Sequence, residues 1–334
     1  MAGGPGAGGR IDHGGDLDAA RRLFRQAPEP WVDLSTGINP VPYPCPALDA
    51  SAWRRLPSAA DLSGLRRAAA EAYGVPDLVR IAAAPGTQIL IETLPRLRRL
   101  SRVAVLGPTY AEHAAAWARA GHTVATVREI ADTDGADVVV VVNPNNPDGR
   151  THEPGTLLAL AADLARRGGL LVVDEAFADL EPVASLAGAL RPGLVVLRSF
   201  GKTYGLAGIR LGFAIGEPDV AEAIARALGP WAVSGPALAL GRVALSDEPW
   251  RRGAAVDRAR DAARLDRMIA RAGGAVVGGT RLFRTADFTD GPGLFARLGQ
   301  AGIYVRRFVE APARLRFGLP ADRDEWCRLS RVLK

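Results

Sequence analysis

Seven short apolar runs recur along the first two-thirds of this sequence, and they constrain the fold more than any other feature. The runs lie at 80–84, 102–106, 123–127, 137–142, 170–174, 194–199 and 211–215, and helix-like segments at 87–100, 111–120 and 154–167 separate several of them. Nearly continuous Val, Leu and Ile runs are typical of strands buried on both faces of a sheet. The alternation therefore predicts an α/β fold with a mostly parallel central sheet.

The texture of the sequence changes after residue 216, where long alanine- and arginine-rich segments replace the strand–helix rhythm. Strand-like segments follow at 280–285, 303–308 and 314–318. The proline-rich stretch at 31–46 predicts an extended arm, and the Gly- and Pro-rich residues 1–9 lack a signal-peptide pattern. We predict a flexible tail and N-terminal arm at 1–46, a large α/β domain at 47–216 and a smaller C-terminal α+β domain at 217–334.

Composition and charge exclude several classes of protein. With 48% hydrophobic and 23% charged residues the chain falls in the globular range, and its apolar runs are far too short to cross a bilayer. Cys45 and Cys327 are too far apart in sequence to indicate a disulfide framework or a metal site, so we expect a cytoplasmic protein. The net charge of +6 comes from arginines scattered among acidic residues, which favours a solvated surface over a nucleic-acid interface.

Polar residues follow five of the predicted strands, at the edge where open α/β sheets bind their ligands. One such segment alone has an ordinary explanation as a turn or a helix cap. Five segments of this kind in one chain predict a ligand site. The segments are A-P-G-T-Q at 84–88, G-P-T-Y at 107–110, N-P-N-N-P-D-G at 143–149, D-E-A-F at 174–177 and S-F-G-K at 199–202.

Lys202 is the only internal lysine, because 40 of the 42 basic residues are arginine and the other lysine is the terminal Lys334. A lysine amine can lose its proton when it is buried and can form a Schiff base, whereas a guanidinium cannot. The alternative is a surface lysine without a role. A phosphate-binding turn, an aromatic ring and a carboxylate beside a Schiff-base lysine are what pyridoxal phosphate requires.

Three other motif matches fail on context. The segment 4–9 fits G-x-G-x-x-G, but no predicted strand precedes it. Gly201, Lys202 and Thr203 resemble the end of a P-loop, but Val196 stands where that loop needs a glycine. The S-x-x-K at 199–202 has no accompanying S-D-N or K-T-G segment, which penicillin-recognising enzymes carry.

Taken together, the five segments resemble the pyridoxal-phosphate-dependent aspartate-aminotransferase fold (fold type I), in its histidinol-phosphate aminotransferase branch. Within that branch, H-G-G at 13–15, D-L-S-T-G-I-N-P at 33–40 and S-F-G-K at 199–202 are most similar to the threonine-phosphate decarboxylases of cobalamin biosynthesis. The likeness covers nearly the whole chain from residue 12. It is more specific for the cofactor than for the reaction.

The resemblance implies roles for twelve residues. Lys202 would anchor the cofactor and shuttle a proton, and Asp174 would pair with the pyridine nitrogen. Arg316 would grip the substrate carboxylate and Arg306 the substrate phosphate. The implied cofactor-binding residues are Gly86, Thr87, Tyr110, Asn146, Asp174, Ser199, Lys202 and Arg210. The implied substrate-binding residues are His13, Gly37, Arg306 and Arg316.

The resemblance also implies an activity, the decarboxylation of L-threonine O-3-phosphate to (R)-1-amino-2-propanol O-2-phosphate by a homodimer that binds neither nucleic acid nor membrane. Transamination of a phosphorylated amino acid or amine on the same scaffold stays open. Phe177 stands where aminotransferases usually carry tyrosine, which favours the decarboxylase. Leu56 replaces a tyrosine that crosses to the neighbouring subunit in this branch. A regulator of the same fold would carry an extra DNA-binding segment, which we do not expect here.

Overall fold

The computed structural model describes residues 13–334. The predicted flexible tail at 1–9 and the G-x-G-x-x-G match at 4–9 lie outside these residues. In the part that is described, no helix is both long enough and apolar enough to cross a membrane.

The helices and strands follow the predicted alternation. The α-helices are α1 Leu17–Leu23, α2 Ser51–Arg54, α3 Ala59–Tyr73, α4 Thr87–Arg96, α5 Glu112–Arg119, α6 Pro154–Arg166, α7 Phe200–Thr203, α8 Pro218–Leu228, α9 Gly235–Ser246, α10 Glu248–Arg271, α11 Gly291–Gln300 and α12 Arg323–Val332. The strands are β1 Val32–Leu34, β2 Ile81–Ala84, β3 Arg102–Leu106, β4 Thr123–Val127, β5 Val138–Val142, β6 Leu170–Asp174, β7 Leu194–Ser199, β8 Gly212–Ile215, β9 Ala275–Thr280, β10 Phe283–Asp287, β11 Ile303–Arg307 and β12 Arg314–Gly318.

The seven predicted runs form one seven-stranded sheet in the order β2-β8-β7-β6-β5-β3-β4. Strand β8 is antiparallel to both of its neighbours, and the other adjacent pairs are parallel. All five residues of β5 and of β6 are buried, which is why these strands read as continuous apolar runs. The mostly parallel central sheet that the sequence predicts is confirmed.

A smaller five-stranded sheet has the order β1-β11-β12-β10-β9. Its edge strand β1 comes from the predicted N-terminal arm and runs parallel to β11. The predicted strand at 280–285 is wrong in detail, because Arg281 and Leu282 form the turn between β9 and β10. These two residues are not typical turn formers, so the sequence gives no local signal for the turn between the two strands.

After residue 216 the chain packs first against the large sheet and then against the smaller one. Helices α8 and α9 join the core of the large sheet, for example through Ile224 and Leu245. Helix α10 then runs from the large sheet to the smaller one, where Leu265 and Ile269 are fully buried. The composition changes at residue 216, whereas the packing partner changes only along α10, and the domain boundary after residue 216 stays a prediction.

Candidate active site

The predicted site residues meet at the carboxyl edge of the large sheet. Asp174 ends β6 and Ser199 ends the adjacent β7. Ser199 lies opposite Gly212 at the start of β8, and a side chain at Gly212 would lie 2.7 Å from the backbone nitrogen of Thr87. The antiparallel direction of β8 therefore brings the turn before α4 to the same edge as Ser199.

Lys202 lies on the single-turn helix α7, partly buried, with its Nζ 4.9 Å from the centre of the Phe177 ring. Burial lowers the pKa of Lys202 to about 8, with Arg316 and Arg210 adding to the effect and Asp174 opposing it. The amine is therefore poised to lose a proton near neutral pH. This environment differs from that of a solvated surface lysine.

The chain offers a direct measurement of this pKa, because it contains only two lysines. We expect the Lys202 resonance of cofactor-free protein labelled with 13Cε-lysine to titrate with a midpoint near pH 8. Below that pH the amine is protonated, and above it the amine is neutral. Lys334 provides a reference signal in the same spectrum. A midpoint close to the ordinary lysine value of about 10.4 would contradict the description of the site.

Asp174 is buried and held from two sides. Its Oδ2 lies 2.9 Å from Nε2 of the buried His113, and its Oδ1 accepts a hydrogen bond of 3.0 Å from the backbone N–H of Ala176. The carboxylate is thereby fixed in orientation at the end of β6. We did not predict His113. It lies in the first turn of α5, three residues after Tyr110, and this short spacing from a predicted site residue is the signal that could have found it.

The turn between β2 and α4 has the features of a phosphate site. Gly86 has φ +89°, and a side chain there would lie 2.5 Å from Nη2 of Arg210. Only glycine lets the backbone approach this guanidinium so closely. The N-terminus of α4, which starts at Thr87, and the cation of Arg210 both favour an anion in this turn.

Tyr110 faces the same space from the loop after β3. Its hydroxyl donates a hydrogen bond of 3.0 Å to Oε1 of Gln88, and its ring lies edge-on to His113 at a centre-to-centre distance of 6.1 Å. Burial raises the pKa of Tyr110 to about 12, with Glu112 and Asp174 adding to the effect. The hydroxyl is therefore neutral at physiological pH, and the ring is held in place by its neighbours.

Arg316 and Arg306 lie directly opposite each other on β12 and β11. Opposed residues of antiparallel strands project from the same face, so both guanidinium groups belong to one side of the smaller sheet. Arg316 is buried and donates hydrogen bonds to Oδ1 of Asn146 and to the carbonyl of Ser35. Burial lowers the pKa of Arg316 to about 10, with Arg306 adding to the effect. Between residues 13 and 334 no carboxylate lies within ion-pair distance of Arg316.

The first described residues cross beside the site. Nε2 of His13 lies 2.9 Å from Oε1 of Glu112, and its ring centre is 6.1 Å from that of Tyr110. The N–H of Gly15 donates to Oγ of Ser35, the residue whose carbonyl binds Arg316. The arm thus connects the two sides of the site.

Gly37 faces two aromatic rings of the site. A side-chain carbon at Gly37 would lie 2.8 Å from Cε1 of Phe177 and 2.9 Å from Cδ1 of Phe283. These rings pack edge-to-face with centres 5.0 Å apart. Gly37 therefore leaves room for the ring that contacts Lys202.

We expect Gly37→Ala to lower kcat/KM by about 10-fold, because the added methyl must displace Phe177 from under the amine. Overpacking should also lower the free energy of unfolding by about 1–3 kcal/mol. Gly155→Ala is the matched control, since nothing lies within 4 Å of a side chain there. Steady-state kinetics and thermal unfolding measure both effects, and equal values for the two variants would contradict this role of Gly37.

Leu56 is not part of the site in its own chain. It is 68% exposed and lies between α2 and α3. The cofactor-binding candidates are grouped at the sheet edge, Arg306 and Arg316 lie on β11 and β12, and His13 and Gly37 come from the N-terminal arm. The structure therefore brings the cofactor-binding and substrate-binding candidates to two sides of one space, with Lys202 between them.

Comparison with known proteins agrees with this geometry. The family model for class I and II aminotransferases matches residues 29–327. The threonine-phosphate decarboxylase of Pseudomonas aeruginosa is 47% identical over 330 residues, covering 97% of each chain, and that of a Sinorhizobium species is 44% identical over 324 residues, covering 93% of this chain and 94% of its own. The crystal structure of histidinol-phosphate aminotransferase from Sinorhizobium meliloti, in complex with pyridoxal-5'-phosphate, superimposes with a TM-score of 0.78 at 22% identity, covering 95% of this chain and 93% of that one. The resemblance seen in the sequence motifs is confirmed, and the chain belongs to the class I and II aminotransferase family.

Proposed function

We propose that this protein is a pyridoxal-phosphate-dependent decarboxylase, which converts L-threonine O-3-phosphate to (R)-1-amino-2-propanol O-2-phosphate in cobalamin biosynthesis. The observation that carries the substrate class is the opposed pair Arg306 and Arg316, of which Arg316 acts on the amine of Lys202. Two guanidinium groups on one face suit a ligand with two anionic groups, here a carboxylate and a phosphate. Relatives of nearly the same length that bear the name threonine-phosphate decarboxylase support the reaction.

The residues present fit pyridoxal phosphate. Gly86 and the start of α4 leave room for a phosphate next to Arg210. Asp174, which His113 holds in orientation, would pair with a cationic ring nitrogen. Lys202 would bond the aldehyde carbon, for which its lowered pKa is suitable. In this proposal Tyr110 would stack on the ring, Asn146 would bond the ring hydroxyl, and Gly86, Thr87, Ser199 and Arg210 would hold the phosphate.

When bound, the cofactor supplies an electron sink for the pair of electrons left at the substrate Cα. Arg316 holds the substrate carboxylate by two parallel hydrogen bonds, and Arg306, with His13, holds the phosphate. The bond between Cα and the carboxylate carbon breaks, and carbon dioxide leaves. The amine of Lys202 then delivers a proton to Cα. His113 keeps the Asp174 carboxylate in place throughout.

One reaction mixture distinguishes decarboxylation from transamination. Holoenzyme with O-phosphothreonine should release carbon dioxide and the amine in equal amounts without any 2-oxo acid. Threonine should be a poor substrate, because it offers nothing to Arg306. If 2-oxoglutarate is required, and glutamate forms without carbon dioxide, the protein is an aminotransferase and the proposal is wrong.

The proposal includes a cytoplasmic homodimer that needs neither nucleic acid nor a membrane. Leu62, Val79 and Trp231 are exposed and line one groove, which provides an apolar surface that a second copy could cover. The thiols of Cys45 and Cys327 are free, which fits a reducing compartment. Sedimentation should give the mass of two chains, and the mass of one chain would contradict the dimer.

A further inference from the structure

Helix α7, which carries Lys202, is a single turn of four residues. One turn is not stable without tertiary contacts, so its neighbours determine where the amine lies. The N-terminal arm supplies these contacts at the carboxyl end of the helix. The backbone N–H of Asn39 donates to the carbonyl of Lys202 at 2.8 Å, and its side-chain Nδ2 donates to the carbonyl of Thr203 at 2.9 Å.

The arm lies very close to the chain that follows α7. The N–H of Tyr43 donates to the carbonyl of Tyr204 at 2.8 Å. Gly205 has φ +65°, and a side chain there would lie 2.7 Å from the carbonyl oxygen of Asn39 and 2.7 Å from Cα of Pro42. The arm therefore packs directly against the backbone at the end of α7.

The Asn39 side chain is itself held by a buried cation. Asn39 is 2% exposed, and its Oδ1 accepts hydrogen bonds from Nη1 of Arg258 at 3.0 Å and from the N–H of Val41 at 3.1 Å. Arg258, on α10, is 8% exposed and pairs with Asp261 at 2.6 Å. A hydrogen bond from a charged donor is stronger than one between neutral groups, and burying an ion pair is costly. We define Arg258 and Asn39 as the relay between α10 and α7.

An aromatic stack supports the opposite face of α7. Phe200 and Tyr204 are four residues apart, so they lie on one side of the turn with Lys202 on the other. Their rings stack with centres 4.3 Å apart, and Tyr204 stacks on Trp250 of α10 at 5.5 Å. Helix α10 thus contacts α7 through an apolar stack as well as through the relay.

We propose that Asn39 and Arg258 are positioning residues, which hold the carbonyl end of α7 and so keep the Lys202 amine in the orientation that the reaction needs. The inference rests on the proposed role of Lys202 as the cofactor anchor. It gives a role to Asn39 in the N-P segment of the arm and to the buried Arg258, which lies 219 residues later in the sequence. Neither residue touches Lys202 through its side chain, so the effect acts through the backbone of α7.

The test uses Asn39→Ala and Arg258→Met, with Asn39→Asp and Arg258→Lys as conservative partners. In cofactor-free protein labelled with 13Cε-lysine, the loosened α7 should admit water to the amine and raise the Lys202 midpoint by at least about half a pH unit. In the holoenzyme, kcat should fall about 10–100-fold with a smaller change in KM. Arg258→Lys should recover part of both effects, because it keeps the buried charge. Asn39→Asp should stay defective, because it cannot donate to Thr203.

Arg284→Met is the matched control. It removes another ion pair of α10, from Nε of Arg284 to Oδ1 of Asp266 at 2.6 Å, and should leave kcat and the Lys202 midpoint unchanged. If Asn39→Ala does not fold, the comparison of Arg258→Met with Arg258→Lys alone tests the inference. Wild-type midpoints and kcat in the relay variants would overturn the inference. If the wild-type protein itself lacks decarboxylase activity, the proposed function fails, but the lysine titration still tests the relay.

Discussion

Replacing Lys202 with alanine should lower decarboxylase activity by at least about 10⁴-fold and abolish covalent retention of the cofactor. No other lysine can take over this role, because the second lysine is the terminal Lys334 and all remaining Lys and Arg positions are arginine. Lys202→Arg should be equally inactive, since a guanidinium keeps its proton and cannot form the bond. Release of carbon dioxide and the visible absorption of the dialysed protein measure the two effects.

Lys334→Ala is the control for removing a lysine as such, and it should behave like the wild-type protein. If Lys202→Ala retains both turnover and the visible absorption after dialysis, Lys202 does not anchor the cofactor. Loss of turnover with the absorption intact would also contradict the anchor, although it would leave a role in proton transfer.

Replacing Arg316 with methionine should lower kcat/KM for O-phosphothreonine by about 10²–10³-fold, with most of the loss in KM. Arg316 is buried, and it has no carboxylate partner within the described chain. It is therefore available to pair with a ligand carboxylate in a site from which water is excluded. Arg316→Lys should recover only part of the activity, because an ammonium cannot form two parallel hydrogen bonds with a carboxylate.

Arg314→Met is the matched control on the same strand. It breaks the ion pair of Arg314 with Asp287, two residues before Arg316, and should leave KM unchanged. Equal KM values for Arg316→Met and the wild-type enzyme would mean that another group binds the substrate carboxylate.

The large sheet could be predicted because its signal is local. Residues 138–142 are five consecutive valines, and each of them is buried in β5. The polar segments after the strands were predictable for the same reason, since parallel strands bring their carboxyl ends to one edge. The roles of single residues such as Asn146 came from the resemblance to a family rather than from spacing.

The features that the sequence did not reveal depend on distant contacts. Strand β1 has three residues and pairs with β11 about 270 residues later, so no local pattern identifies it. His113 meets Asp174 across 61 residues, and Arg258 meets Asn39 across 219. A single buried His or Arg in a helix is compatible with many neighbours, and only the tertiary fold decides which neighbour it has.

The most direct test of the account is to find which amine carries the cofactor. Holoenzyme reduced with borohydride fixes the cofactor to the amine to which it is bonded, and digestion followed by mass spectrometry locates that amine. We predict the modification on Lys202 in stoichiometric amount and none on Lys334. Modification of Lys334, or of no lysine, would contradict the central claim that Lys202 is the anchor of a pyridoxal-phosphate site.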